Sequence, residues 1–181
     1  MKKSIKTLFG ILLMSSIALG TISCDDSNEP TIEKPENTSE FKVDVNKFEG
    51  TITTGTVTLD ATKEHKLTGK LVVANGAKLV IPAGTKIIGT GGTSAYIAVA
   101  QGGKIEVNGT ATNPVVMTGA EAKPGNWGGL VICGKAPINK GTSATAEVSD
   151  LTYGGTDVND NSGSIKYLRI EYSGANFNSE K

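Results

Sequence analysis

From about Leu71 onward the apolar side chains arrive in short bursts, such as Leu71-Val72-Val73, Leu79-Val80-Ile81 and Val115-Val116-Met117, separated by stretches rich in Gly, Asn or Pro. Bursts of this length, β-branched and bounded by turn formers, read as strands. Two stretches are copies of one another. Val73-Ala74-Asn75-Gly76-Ala77-Lys78-Leu79-Val80-Ile81 aligns with Val99-Ala100-Gln101-Gly102-Gly103-Lys104-Ile105-Glu106-Val107, and a Gly-Thr pair follows each, at Gly84-Thr85 and Gly109-Thr110. The implied period of roughly 25 residues lies in the solenoid range. Nowhere after Gly20 do apolar residues recur at three- and four-residue spacing over a helix-length stretch, which excludes helical repeats. An antiparallel sandwich gives no reason for the same glycine and lysine to return at a fixed offset. A coil does: each turn stacks about 4.8 Å above the last, equivalent residues form ladders, and glycine recurs where a corner needs positive φ. The pattern therefore predicts an all-β fold, a right-handed parallel β-helix with about 25 residues per rung.

Gly128-Gly129-Leu130-Val131-Ile132-Cys133-Gly134 and the stretch from Ile165 to Gly174 read as later rungs. In the second, Leu168, Ile170 and Tyr172 alternate with Arg169 and Glu171, as one half-buried strand would. Residues 41–67 hold alternating stretches such as Thr56-Val57-Thr58-Leu59 and are expected to form an atypical first turn or cap, with the rungs proper over 68–181. After Gly174 come Ala175-Asn176-Phe177-Asn178-Ser179-Glu180-Lys181, with no amphipathic segment to cover the last rung's unpaired edges. The expectation is a coil incomplete at its C-terminus.

The N-terminus carries a different pattern. Lys2, Lys3 and Lys6 precede an apolar run from Leu8 to Gly20, shorter than the roughly 20 residues a spanning helix requires, so it reads as a secretory signal. The run ends in Thr21-Ile22-Ser23-Cys24, with the small residue before cysteine that a lipoprotein signal peptidase needs. Residues 1–23 are thus expected to be removed and Cys24 to be lipidated. Thr21 stands where leucine is usual, which leaves ordinary cleavage after Gly20 as the competitor. Several acyl chains, at about 0.8 kcal/mol per buried methylene, would hold the protein on a membrane without spanning it. Residues 24–40 contain Pro30, Pro35 and one large apolar side chain, Ile32, too little to offset ordering entropy, and are read as a flexible tether.

Composition narrows the partners. The 18 basic and 18 acidic residues cancel, leaving no field to gather nucleic acid or an anionic membrane surface. The 23 glycines and the 5% of aromatics suit turn-rich β structure and not a helix bundle.

The run Gly125-Asn126-Trp127-Gly128-Gly129-Leu130-Val131-Ile132-Cys133-Gly134-Lys135-Ala136-Pro137-Ile138-Asn139, followed by Tyr153-Gly154-Gly155-Thr156-Asp157-Val158-Asn159-Asp160-Asn161-Ser162-Gly163, resembles secreted lipoproteins of the Bacteroidota described as pectate-lyase-like β-helix proteins. The likeness covers roughly Leu67 to Ala175. It implies a fold and an envelope location, carries no defined activity, and agrees with a chain whose relatives continue past Lys181. The acids Asp25-Asp26 resemble the stretch that follows the lipidated cysteine in surface-displayed proteins of that kind, which favours the cell surface over the periplasmic face of the outer membrane.

Catalysis on such a coil would need acids stacked rung over rung. Glu106 is the clearest strand acid, yet its equivalent one turn earlier is Val80, so it reads as a solvated outward residue, and no catalytic residue is assigned. Asp157, Asn159 and Asn161 are spaced like the start of a calcium loop, the one metal the sequence raises. Ser162 holds the glycine position and Leu168 the place of the closing glutamate, so an Asx-rich turn is the competing and favoured reading. His65, the only histidine, reads as a surface residue, and Cys133 as a small inward-facing hydrophobe. Trp127, Tyr153 and Tyr172 could together stack sugars, with Trp127 packed over a corner as the competing and favoured reading. The function expected is a lipid-anchored, non-catalytic adhesive or glycan-binding scaffold, whose partners are the membrane, glycans or other envelope proteins. The competitor is the N-terminal part of a β-helix polysaccharide lyase or hydrolase.

Overall fold

The computed structural model describes residues 37–147 and 149–174; the expected signal, Cys24 and most of the tether lie outside them, as do residues 175–181. The strands are β1 (Gly50–Ile52), β2 (Gly55–Thr58), β3 (Glu64–Leu67), β4 (Lys70–Val73), β5 (Ala77–Pro82), β6 (Lys86–Gly89), β7 (Tyr96–Val99) and β8 (Lys104–Asn108). They continue with β9 (Val115–Gly119), β10 (Gly129–Ile132), β11 (Ala144–Thr145), β12 (Thr152–Tyr153), β13 (Gly163–Lys166) and β14 (Leu168–Ile170). Twelve of them form three parallel four-stranded sheets: A is β1-β4-β7-β10, B is β2-β5-β8-β13, and C is β3-β6-β9-β14. One strand per sheet per turn makes four stacked rungs of a parallel β-helix, and no α-helix occurs among the described residues.

The period-2 alternation within each strand points one set of side chains into the tube, where successive rungs stack them. Ile52, Val73, Val99 and Ile132 form one ladder in sheet A, and Leu71, Ile97 and Leu130 another. Sheet B stacks Val57, Leu79 and Ile105, then Ile81, Val107 and Ile165. All are fully or nearly fully buried through rung three, while Ile132, Ile165 and Ile170 on rung four are about half exposed, because no described strand lies above them. At roughly 1.5–3 kcal/mol per buried large apolar side chain, these ladders are the main stabilising term.

The aligned repeat matches the pairing. Val73 lies opposite Val99 and Lys78 opposite Lys104. The period is less regular than the expected 25: in sheet A, Leu71 follows Gly50 by 21 residues, Ile97 follows Leu71 by 26 and Leu130 follows Ile97 by 33. Corner loops absorb the difference, since a parallel ladder constrains only the strands.

Two expectations need correction, while the expected cap or first turn over 41–67 divides into both. Residues 50–67 form a regular first rung, β1 to β3, and the cap is the segment before it. There Thr38 N–H donates to Thr56 O, Thr58 N–H to Asn37 Oδ1 and Phe48 N–H to Lys66 O, covering the free edges of sheets B and C. His65 is fully buried and not a surface residue: it stacks inward on Ile87, with the Phe48 ring 5.6 Å away. The stretch from Ile165 to Gly174 is not one strand, because Tyr167 adopts φ 47° and turns the chain from β13 in sheet B to β14 in sheet C.

Rung four is interrupted. Between β10 and β13 the chain makes an excursion over 133–162, which contains the antiparallel pair β11–β12. Gln101 Nε2 pins it by donating to Gly134 O at 3.0 Å and Gly154 O at 2.6 Å. Tyr96 and Ala98, on the outward side of β7, are buried yet stand outside the main core cluster, as is Cys133. Ser149 and Asp150 of the excursion lie beside Cys133 and Tyr96, so the excursion forms a small second layer over sheet A.

Candidate functional site

On a β-helix the outward strand positions form the surface available for chemistry. The strands carry two acids, Glu64 and Glu106, and each meets a lysine of the next or preceding rung. Glu64 lies opposite Lys86 in sheet C and is ion-paired with it. Lys78 Nζ reaches Glu106 Oε1 at 2.8 Å across sheet B, one pleat off the direct register. The Lys86 ammonium holds the Glu64 carboxyl below the usual carboxylate range. Outside the strands, the Thr68 hydroxyl and Lys47 do the same for Glu49, and Thr62 does so for Asp60. Such acids stay ionised and are poorly suited to donate a proton as a glycosidase acid must.

The three aromatic candidates are not assembled into one platform. Trp127 is fully buried in the core, and its Nε1–H donates to Glu171 O at 2.8 Å. Its indole fills the space left where β6 has Gly89 at an inward position: a β-carbon on Gly89 would fall 2.5 Å from Trp127 Cβ. A ligand cannot stack on it. Tyr153 lies on the excursion and lines a shallow recess of about 140 Å³ with Ile132, Ala136, Pro137 and Ile138. Tyr172 follows β14 at φ 57° and is part exposed.

Asp157, Asn159 and Asn161 fall on the returning arm of the excursion. Asp157 Oδ1 accepts from Asn159 N–H at 3.0 Å and Asn161 Oδ1 from Gly163 N–H at 2.8 Å, both two residues ahead. This is Asx-turn geometry, in which side chains mimic the backbone of a turn. Asp160, which the spacing argument passed over, accepts from Lys135 N–H at 2.9 Å and ties the two arms together. Among the described residues, no group of three or more His, Cys, Asp or Glu side chains is placed to share a metal ion.

Cys133 is buried, but beneath the excursion and outside the core cluster, and burial pushes its thiol pKa up. The Ser149 hydroxyl lies near the sulfur without a hydrogen bond of normal geometry. A buried thiol of raised pKa is a poor nucleophile.

With the coil and its faces in view, comparison with protein families gives a match to the Pectate-lyase like beta helix domain over residues 50–181, well over half of the chain. The chain belongs to this family. The matched region opens at β1, the first rung, and leaves out the cap. The pectate-lyase-like β-helix family accounts for the stacked parallel sheets and the inward ladders. Comparisons with curated proteins and with solved structures gave no significant match.

Proposed function

We propose that this pectate-lyase-like β-helix is a non-catalytic scaffold of the bacterial envelope, held on the outer membrane through a lipid on Cys24 and binding glycans on its outward faces. The observation that carries this reading is the pairing of the strand acids: Glu64 and Glu106 each neutralise a lysine of an adjacent rung. The basic leader ending at Cys24 supports the anchor, and Asp25-Asp26 supports display at the cell surface. The competing reading is the N-terminal part of a polysaccharide lyase or hydrolase; the family match to the pectate-lyase-like domain is what favours it.

Two experiments separate these. A glycan array probed with the full chain should show retention without shortening of the retained polysaccharide. Glu106→Gln should preserve retention and cost less than about 1 kcal/mol of stability, as part-exposed ion pairs do. Depolymerisation by the wild type that Glu106→Gln abolishes would make the chain an enzyme. Cys24→Ala should shift the protein from the membrane fraction to the soluble one; continued membrane retention would remove the lipid anchor from the proposal.

A further inference from the structure

The lysine that recurs with glycine in the two aligned stretches is not explained by folding. Glycine is: Gly76 and Gly102 have φ 80° and 77°, and Gly55 has φ 71° at the matching corner of rung one. The lysines that follow, Lys78 and Lys104, stand directly opposite each other on the outer face of sheet B, where rung one places Thr56. Strands here are about 4.8 Å apart, and like charges directly opposed on one face are destabilising. Glu106 answers Lys78 alone, at 2.8 Å. The Lys104 ammonium has no hydrogen bond or ion pair among the described residues. Lys135 Nζ of the excursion lies outside this group: it is 3.4 Å from where a β-carbon on Gly102 would be, a position crowded first by the Asn75 amide. Beside these groups is a recess of about 180 Å³ lined by Gly55, Thr56, Gly76, Ala77, Lys78, Gly102 and Lys104. A β-carbon on Gly76 would meet nothing within 4 Å, so this corner is open to solvent.

We infer that this recess binds an oxyanion, a carboxylate, sulfate or phosphate group, through Lys78 and Lys104 stacked on neighbouring rungs. A bound anion turns the repulsion between the lysines into shared attraction, with charge-assisted hydrogen bonds from each ammonium. The carrier of that group rests on the glycan reading above and makes it specific: the sugar is acidic. The recess itself rests on the lysine register alone.

The test is a titration of the full ¹⁵N-labelled chain at constant ionic strength, replacing chloride by millimolar sulfate, phosphate or glucuronate. Saturable shifts of the Gly76 and Gly102 amides are expected with these anions and not with glucose. Lys104→Gln should weaken the binding by about three- to tenfold, the range of one part-exposed charged contact. Lys70→Gln, on sheet A, should leave it intact. Shifts that stay linear, or an equal loss in both variants, would overturn the inference. Without anion, Lys104→Gln should hold or raise Tm; a lower Tm would make the lysine structural and sink the site. Glucuronate bound more tightly than sulfate identifies a carboxylate carrier, and the reverse order a sulfated or phosphorylated one. Saturable sulfate binding with no glycan retained on the array would uphold the recess and remove the glycan reading. Retention indifferent to Lys104→Gln would keep that reading and remove the recess.

Discussion

Trp127→Ala is expected to destabilise the coil by about 3–5 kcal/mol, the usual cost of emptying a fully buried aromatic site. The void cannot readily close, since the residues opposed at that level in sheet C are Gly89 and Gly119, which have no side chain to move in. The substitution also removes the bond from Nε1–H to Glu171 O, while the backbone bridge from residue 127 to Ser173 remains. Trp127→Phe keeps most of the apolar volume and should lose less, about 1–3 kcal/mol, for the smaller ring and the orphaned carbonyl. Urea unfolding followed by far-ultraviolet circular dichroism would measure both. A loss below about 1 kcal/mol for the alanine variant would mean that the tube collapses around the gap. Gly89→Ala should be severe both in the wild type and beside Trp127→Ala, because the added methyl would fall 2.5 Å from the residue 127 Cβ, which alanine retains.

The second large effect is acid sensitivity centred on one side chain. His65 Nε2–H donates to Asp60 O at 3.0 Å, which leaves Nδ1 an acceptor, buried and without a partner. Burial pushes the His65 pKa below its ordinary value, opposed in part by the Asp60 carbonyl and carboxylate, while Lys63 adds to the lowering. The fold therefore favours the neutral ring, and the unfolded chain takes up the proton first. Stability is complete above the unfolded value near 6.5 and declines as pH falls from there to the lowered folded-state value. The slope in that window is at most about 1.4 kcal/mol per pH unit. His65 is the chain's single histidine, so no other side chain of ordinary pKa titrates there. His65→Leu, a match in size for the Ile87 and Met117 it stacks with, should flatten the profile between pH 5.5 and 7.5, values chosen to bracket about 6.5. A slope that persisted in the variant would assign the acid sensitivity elsewhere.

The coil was legible because its strands repeat where its corners repeat. Asn75-Gly76 and Gln101-Gly102 turn with nearly the same φ, so the alignment from Val73 and from Val99 is also the hydrogen-bonded register. The Gly-Thr pairs break that rule. Gly84 N–H meets Asn113 O, since residues 110–113 form an extra turn before β9, and a matching dipeptide says nothing about an insertion beside it. Two errors had a signal in the chain. In Glu64-His65-Lys66-Leu67 the alternation puts His65 on the face of Leu67, and only the polarity of imidazole argued otherwise. Ile165 and Leu168 both stack inward at three-residue spacing, which no single strand allows and which marks the corner at Tyr167. What covers Trp127 and Cys133 was not legible, and Cys133, read as inward-facing, points outward beneath the excursion. Each depends on distant partners, Gly89 for the indole and the excursion for the thiol, that no local pattern encodes.

The excursion has a kinetic corollary. Strand β10 lies on β7 soon after rung three is laid down, but β13 can settle on β8 only once the intervening loop has closed, from Asn108 to Gly163. Closing so long a span is entropically slower and weaker than adding the short turns of the lower rungs. The top of the tube should therefore assemble in two instalments and come apart in the reverse order. Amide protons of β13 and β14 would then exchange with solvent well before those of β5 and β8, fraying the coil from the end opposite its cap.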